Sequence, residues 1–278
     1  MTGVVLALRG PRLTAEDRHV LKAFAAHLAT ARERARLREQ AAAARRLGEA
    51  DELRAALLQA VSHDLRTPIA SIKAAVSSLR QPDVTWRDED VAAFLAAVED
   101  ETDRLGALVE NLLDMSRLRA GVVEPILRAV HLDEVVPAAL ASLGERARAV
   151  ETDVPEELPP VRADAGLLER VVANLVENAR RWAPPDEPVR VEAGAVHDSV
   201  YLRIVDRGPG IPAGERERVF RPFQRVGDAG HRGGLGLGLA VARGFVLAMG
   251  GALELEDTPG GGTTAVVGLP MAVTGTGS

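Results

Sequence analysis

The chain has 278 residues, 46% of them hydrophobic and 27% charged, enough to bury a full core and to divide into two units behind an N-terminal extension. A formal net charge of −6 gives no general attraction to nucleic acid or anionic lipid, and the lack of cysteine excludes disulfides, thiolate metal sites and a cysteine nucleophile. No apolar run reaches the roughly 18 residues of a membrane span and no signal-peptide pattern opens the chain, so a cytoplasmic protein without a span in this chain is expected.

Thr2 to Leu8 reads as a short strand closed by Arg9, Gly10 and Pro11, and one strand is not stable alone. Thr14, with Asp17 three residues later, forms a short variant of the capping box and starts a helix rich in Ala, Arg and Glu that runs to about Gly48. His19 and His27 lie in it without a second ligand pattern. Residues 49 to 80 make the next helix, on which Leu58, Val61, Leu65, Ile72, Ala75 and Leu79 follow 3,4 spacing and form one apolar seam. His63 projects from the opposite side, with Asp64 beside it and Thr67 one turn on along the exposed face. Gln81-Pro82-Asp83 breaks the helix, and Asp88 can cap another carrying Val91, Phe94, Val98, Leu105, Leu108, Leu112 and Met115 in the same rhythm. Such a hairpin leaves its apolar seams half covered. Pairing two hairpins closes the core, so a homodimeric four-helix bundle is predicted.

A lone histidine on a helix surface is usually just solvated. Here it lies in Ser62-His63-Asp64-Leu65-Arg66-Thr67-Pro68, which resembles the H box of two-component sensor histidine kinases, where the histidine accepts the γ-phosphoryl group of ATP. The resemblance implies that Asp64 orients the imidazole and takes its proton, that Thr67 orients water when the kinase works in reverse as a phosphatase, and that a nucleotide site lies downstream. It also suits the helix before residue 48 as the tail of a GAF-like sensory domain running into a signalling coiled coil, although a charged, solvated connector has the same composition.

From about Val122 the pattern changes to short β-like runs and loops rich in Pro and Gly. Residues 122–130, 189–196, 200–206, 252–256 and 263–269 read as strands, and 133–143, 164–182 and 235–249 as helices. A layer of helices on one mostly antiparallel sheet is expected, with a flexible tail at 273–278.

On the helix after Asp164, the apolar residues Leu167, Leu168, Val171, Val172, Leu175 and Val176 leave one polar stripe, Asn174, Glu177, Asn178 and Arg181. Asn-Leu-Val-Glu-Asn-Ala-Arg-Arg resembles the N box of the same kinases. That implies Asn178 as a ligand of Mg²⁺, Asn174 and Glu177 as its support and Arg181 as a phosphate contact; Trp182 stands where the family more often has Tyr, keeping a ring for stacking but no hydroxyl. Asp206-Arg207-Gly208-Pro209-Gly210 resembles the G1 box, which makes Asp206 the adenine reader while Gly208 and Gly210 let the backbone approach the base. Val219-Phe220-Arg221-Pro222-Phe223-Gln224-Arg225 resembles the F box, with Phe220 and Phe223 anchoring a mobile lid and Arg225 available to phosphate. Gly234-Leu235-Gly236-Leu237-Gly238-Leu239 resembles the G2 box, in which Gly234, Gly236, Leu237 and Gly238 lead into a helix whose N–H groups receive phosphate oxygens. No strand runs directly into these glycines, against a Rossmann turn, and no Gly-Lys-Ser/Thr follows, against a P-loop. Residues 258–263, ending in Thr263, fit the family's last glycine-rich segment.

The ordered series H, N, G1, F and G2 spans residues 59 to 270, and within the family the stretches 60–80, 219–228 and 248–264 most resemble the potassium-responsive Kdp sensor kinases. The implied fold class is α+β: a helical-hairpin dimerisation domain followed by an α/β sandwich ATP-binding domain of the GHKL (Bergerat) type. The implied divisions are a sensory remnant and signalling helix at 1–48, a dimerisation and histidine phosphotransfer domain at 49–121, and a catalytic ATP-binding domain at 122–272. The implied cofactors are ATP and Mg²⁺, and the implied partners a second copy and a response regulator, in a potassium or osmotic response. Two alternatives stand beside this reading: an ATPase of the same nucleotide-binding superfamily, and a non-catalytic dimeric scaffold.

Overall fold

The computed structural model describes residues 15–81, 83–147, 149–224 and 236–272, with 15–18, 35–61, 63, 145 and 146 described by backbone alone. The expected strand at 2–8, the Thr14 cap and the tail at 273–278 lie outside these residues. The chain forms two units, 1–59 and 60–278. In the first, every described residue belongs to the helix α1, Ala15–Leu79. No break occurs at Gly48, where one helix was expected to give way to another. A single interior glycine costs only about 1 kcal/mol, and its neighbours are strong helix formers.

The second unit opens with the last turns of α1. Leu65, Ile72 and Leu79 are half-buried and Pro68 and Ala75 buried, as the 3,4 seam requires; Leu58 and Val61 are described by backbone alone. At the turn, the Trp86 indole N–H donates to the Ser78 carbonyl oxygen at 3.2 Å, and the ring meets Phe94 edge-on at 5.0 Å. The second helix, α2, spans Asp88–Ala120. Asp88 does not cap it. Arg87 holds the cap position and donates to the Asp90 carboxylate at 2.9 and 3.0 Å, while three acidic residues in the first turn complement the helix dipole.

The expected strand at 122–130 contracts to β1, Arg128–Val130. Pro125 has no N–H to give a ladder, and the N–H of Ile126 goes instead to Asp164 Oδ2 at 2.8 Å. Then come α3 (Leu132–Leu143), β2 (Val150–Asp153), β3 (Val161–Ala163), α4 (Ala165–Trp182), β4 (Val189–Val196), β5 (Ser199–Val205), the single turn α5 (Arg216–Val219), α6 (Gly238–Ala248), β6 (Ala252–Asp257) and β7 (Thr263–Pro270). Among the described residues β1 pairs with β3, antiparallel, in a two-stranded ribbon. The main sheet has the order β2-β4-β5-β7-β6 and is antiparallel except where β2 joins β4.

One core joins helices to sheet. Leu168, Val171, Val172, Leu175 and Val176 of α4 and Val241, Phe245 and Val246 of α6 pack in the same buried cluster as Val191, Leu202, Ile204, Val267 and Leu269. Met115 of α2 belongs to that cluster too. Beside it, the buried Asp114 pairs with Arg170 of α4 at 2.5 Å; burial raises the pKa of Asp114 and the Arg170 charge lowers it. Leu118 of α2 lies so close to Gly244 of α6 that a methyl group there would come within 2.6 Å of it.

Candidate active site

Helix α4 runs along the whole site. Asp164 caps it by accepting the Leu167 N–H at 3.1 Å, which satisfies an otherwise unpaired donor at its start. Asn174, Glu177, Asn178 and Arg181 remain half-buried on the other stripe, as the spacing predicts. Asn174 faces Gly238, whose added methyl would sit 3.5 Å from its Oδ1. At the far end, the carbonyl oxygen of Trp182 would lie 2.8 Å from a methyl on Gly208, so only glycine permits that approach. Eight residues separate these contacts, about 12 Å of helix. Asn178 lies midway between them.

The Gly208 end is built around Asp206, which follows β5 directly and is 6% exposed. Its Oδ1 accepts the N–H groups of Gly208 and Thr263 at 2.8 and 3.1 Å, and its own N–H donates to the Thr263 carbonyl oxygen at 3.0 Å. Oδ2 takes neither of those donors. Burial raises the pKa of the carboxyl and the two N–H bonds lower it, with burial the larger effect. Gly210 packs beside the backbone of Gly262, and Thr263 is buried at the start of β7. A carboxylate so enclosed accepts strongly from an amine.

The Gly238 end is a double turn. Phe220 is buried and Phe223 half-buried, the latter with φ at 66°, a left-handed conformation unusual for an aromatic residue. The Phe223 N–H donates to the carbonyl oxygen of Gly236 at 3.0 Å. Gly236 has φ at 65°, and a methyl on it would come 2.7 Å from the Gln224 carbonyl oxygen. The expected helix start at Leu235 accordingly moves to Gly238, because the left-handed Gly236 cannot continue an α-helix. Leu237 turns its side chain into the core, which leaves its backbone for any ligand. Arg225 and Gly234 lie outside the described residues.

Two residues that sequence reasoning missed stand here. The guanidinium of Arg243 lies 4.5 Å from the centre of the Phe220 ring and pairs with Glu217 at 3.0 Å. Neither residue falls in a motif, and no local pattern joins positions 26 apart.

On the hairpin, the backbone of His63 is helical, Asp64 is half-buried, Thr67 exposed and Pro68 buried. Pro68 has no N–H, so the carbonyl of Asp64 loses its usual helical donor in the turn that follows His63.

Among the described residues, no group of three or more His, Asp or Glu side chains could hold a metal, and no helix is long and apolar enough to cross a membrane. The amide oxygens and single carboxylate on the α4 stripe suit a hard cation that keeps waters and takes further ligands from phosphate. The family described as "His Kinase A (phospho-acceptor) domain" matches residues 53–121, and that described as "Histidine kinase-, DNA gyrase B-, and HSP90-like ATPase" matches residues 163–273. The chain is 50% identical over 272 residues to the sensor protein KdpD of Mycobacterium tuberculosis (strain ATCC 25618 / H37Rv), covering 95% of this chain and 31% of that protein. It is 38% identical over 236 residues to the signal transduction histidine-protein kinase/phosphatase MprB of Mycobacterium sp. (strain KMS), covering 81% of this chain and 45% of MprB. The histidine kinase AdeS of Acinetobacter baumannii shares the fold, with a TM-score of 0.54 and 24% identity over 75% of this chain and 98% of that one.

Proposed function

The chain belongs to the sensor histidine kinases of two-component systems, and on that footing we propose that it transfers the γ-phosphoryl group of ATP to His63 and then to an aspartate of a response regulator. The two matched domains form the catalytic core of a histidine kinase, and ATP binding goes with the second. In this reading residues 49–121 are the dimerisation and phosphotransfer domain, 122–272 the ATP-binding domain, 1–48 the remnant of a GAF-like sensory domain with its signalling helix, and 273–278 a tail.

The observation that carries the proposal is the path of α4 from the buried carboxylate region at Gly208 to the glycine turn at Gly238. Asp206 accepts the exocyclic amine of adenine, Gly208, Gly210 and Thr263 shape the base end, and Trp182 supplies a ring. Phosphates lie toward Gly234, Gly236, Leu237 and Gly238, where the first N–H groups of α6 are unpaired by the helix itself. Arg181 and Arg225 reach phosphate, and Phe220 and Phe223 anchor the segment between. Asn178 would hold Mg²⁺, with Asn174 and Glu177 in support. Bound there, the ion neutralises phosphate charge.

A neutral ring nitrogen of His63 attacks the γ-phosphorus. The N–P bond forms as the bond to the β,γ-bridging oxygen breaks, ADP leaves, and the proton on the other ring nitrogen passes to Asp64. The hairpin pairs with a second copy, which the exposed apolar residues of α1 and α2 support. Thr67 orients water for dephosphorylation of the regulator, a reading in line with the kinase/phosphatase name of MprB. Similarity to KdpD supports a potassium or osmotic stimulus, and the cytoplasmic part of a membrane-associated sensor as its setting. The chain spans about a third of the length of the KdpD proteins it matches.

Incubation with γ-labelled ATP, followed by mapping of the labelled residue, tests this. Acid-labile label on His63 is expected. Free phosphate without labelled protein would make the chain an ATPase, and neither product would make it a scaffold.

A further inference from the structure

The guanidinium of Arg243 closes a circuit that ends at the turn where phosphate is expected. Arg243 stands on α6, five residues after Gly238. Its guanidinium covers the face of Phe220 at 4.5 Å, and its two terminal nitrogens approach the Glu217 carboxylate at 3.0 and 3.5 Å. Both partners belong to the α5 turn and the residue after it. From Phe220 the backbone passes three residues to Phe223, whose N–H binds the Gly236 carbonyl oxygen, and Gln224 presses against Gly236 itself. Gly236 leads through Leu237 back to the first turn of α6. The loop of contacts therefore begins and ends on one helix. Arg243 supplies an ionic and cation–π joint between the two ends of that loop.

Two arginines of α5 reinforce the same piece of chain. Arg216 binds Asp257 at the end of β6, and Arg218 binds Glu215 and the Gln224 side chain. The base end is held separately, by Asp206 bonding to Gly208 and Thr263.

We propose that Arg243 is a positioning residue for the phosphate end of the nucleotide site, acting through Phe220 and Phe223 to hold the Gly236–Gly238 turn in its binding shape. The inference rests on reading this unit as the ATP-binding domain. Arg243 is not assigned a direct phosphate contact, because its terminal donors are already directed at Glu217. A guanidinium above a largely buried ring also differs from an ordinary packing contact, since lysine retains the charge above the ring and alanine retains nothing.

The test is calorimetry on the full chain with a non-hydrolysable ATP analogue and, separately, adenosine. Arg243→Ala should weaken the analogue several-fold, the scale of one partly exposed cation–π contact, while adenosine affinity stays at the wild-type level. Arg243→Lys should recover most of the difference. Should Arg243→Ala fail to fold, Glu217→Gln, at an exposed side chain, should still show a smaller loss confined to the analogue. Equal weakening of both ligands, or no weakening of either, overturns the positioning role. A wild-type chain that binds neither ligand overturns the ATP-binding reading itself, and this inference with it.

Discussion

The hairpin and the α/β unit cover their apolar surface to very different degrees. Along α4 the inward residues Leu168, Val171, Val172 and Val176 are fully buried within a single chain. Along the hairpin, by contrast, Ile69, Leu95 and Leu113 remain 53, 56 and 53% exposed, and Val76, Val109 and Leu112 stand open beside them. The α/β unit has its core within one chain, whereas the hairpin leaves an apolar face uncovered. The difference parallels the two tasks proposed above: nucleotide recognition on the closed core, and phosphoryl acceptance on the helix pair whose apolar face is left open.

The largest expected effect tests that separation. His63→Gln should abolish acid-labile labelling while leaving affinity for ATP unchanged, because the nucleotide residues belong to the other region. Label remaining on the variant, measured after γ-labelled ATP treatment, would place the acceptor elsewhere. Next, Leu95→Glu combined with Leu113→Glu should convert the proposed dimer to monomer in sedimentation, since burying each leucine at an interface is worth about 1.5–3 kcal/mol. Nucleotide binding should survive. A variant that stays dimeric would move the pairing surface off this face.

On the closed side of the comparison, Asp206→Asn should weaken ATP binding by about 1.5–3 kcal/mol, the loss of one charged hydrogen bond. Its effect on the fold has the opposite sign. Burial raises the pKa of Asp206 in the native state, so the native protein binds more protons than the unfolded chain as pH rises from the ordinary carboxylate value of about 3.9 to the raised one. Stability contributed by this residue is therefore greatest below that window and falls through it. At neutral pH the charge is a burden that asparagine lacks, while the amide oxygen still accepts from Gly208 and Thr263. Thermal melts at pH 7 should show Asp206→Asn as stable as wild type or more so. A large drop would mean that the carboxylate serves the fold rather than the ligand.

Sequence patterns carried the parts of this molecule whose signals are local. The 3,4 seam from Leu65 to Leu79 and the stripe from Asn174 to Arg181 each depend on neighbours within a few turns, and each stands where the spacing puts it, while Asp164, read as the first residue of its helix, caps it instead. β2 was not legible: Val150–Asp153 has one half-buried residue among exposed ones, and only the parallel pairing with β4 makes it a strand. β3 alternates buried and exposed positions over only three residues, too short a run to read as a strand. Asp114 looks like a surface residue of a charged helix, yet packing of α2 beside α4 buries it against Arg170. The nucleotide motifs were legible by resemblance, but the Arg243–Phe220 contact depends on tertiary approach and leaves no trace in spacing.

The smallest effect falls within the hairpin and divides two activities that share one helix. Thr67 is exposed one turn beyond His63, and alanine has the better helix propensity, so Thr67→Ala should keep the fold, the dimer and ATP binding. Autophosphorylation needs no water, because the imidazole is itself the nucleophile. Dephosphorylation of a regulator does need one, held in line with the aspartyl phosphate, and a hydroxyl can hold it where a methyl group cannot. The variant should therefore label His63 at the wild-type rate while phospho-regulator, followed over time with ADP and Mg²⁺, decays several-fold more slowly, on the scale of one neutral hydrogen bond of about 1 kcal/mol. Equal decay with wild type and variant would remove Thr67 from the water site.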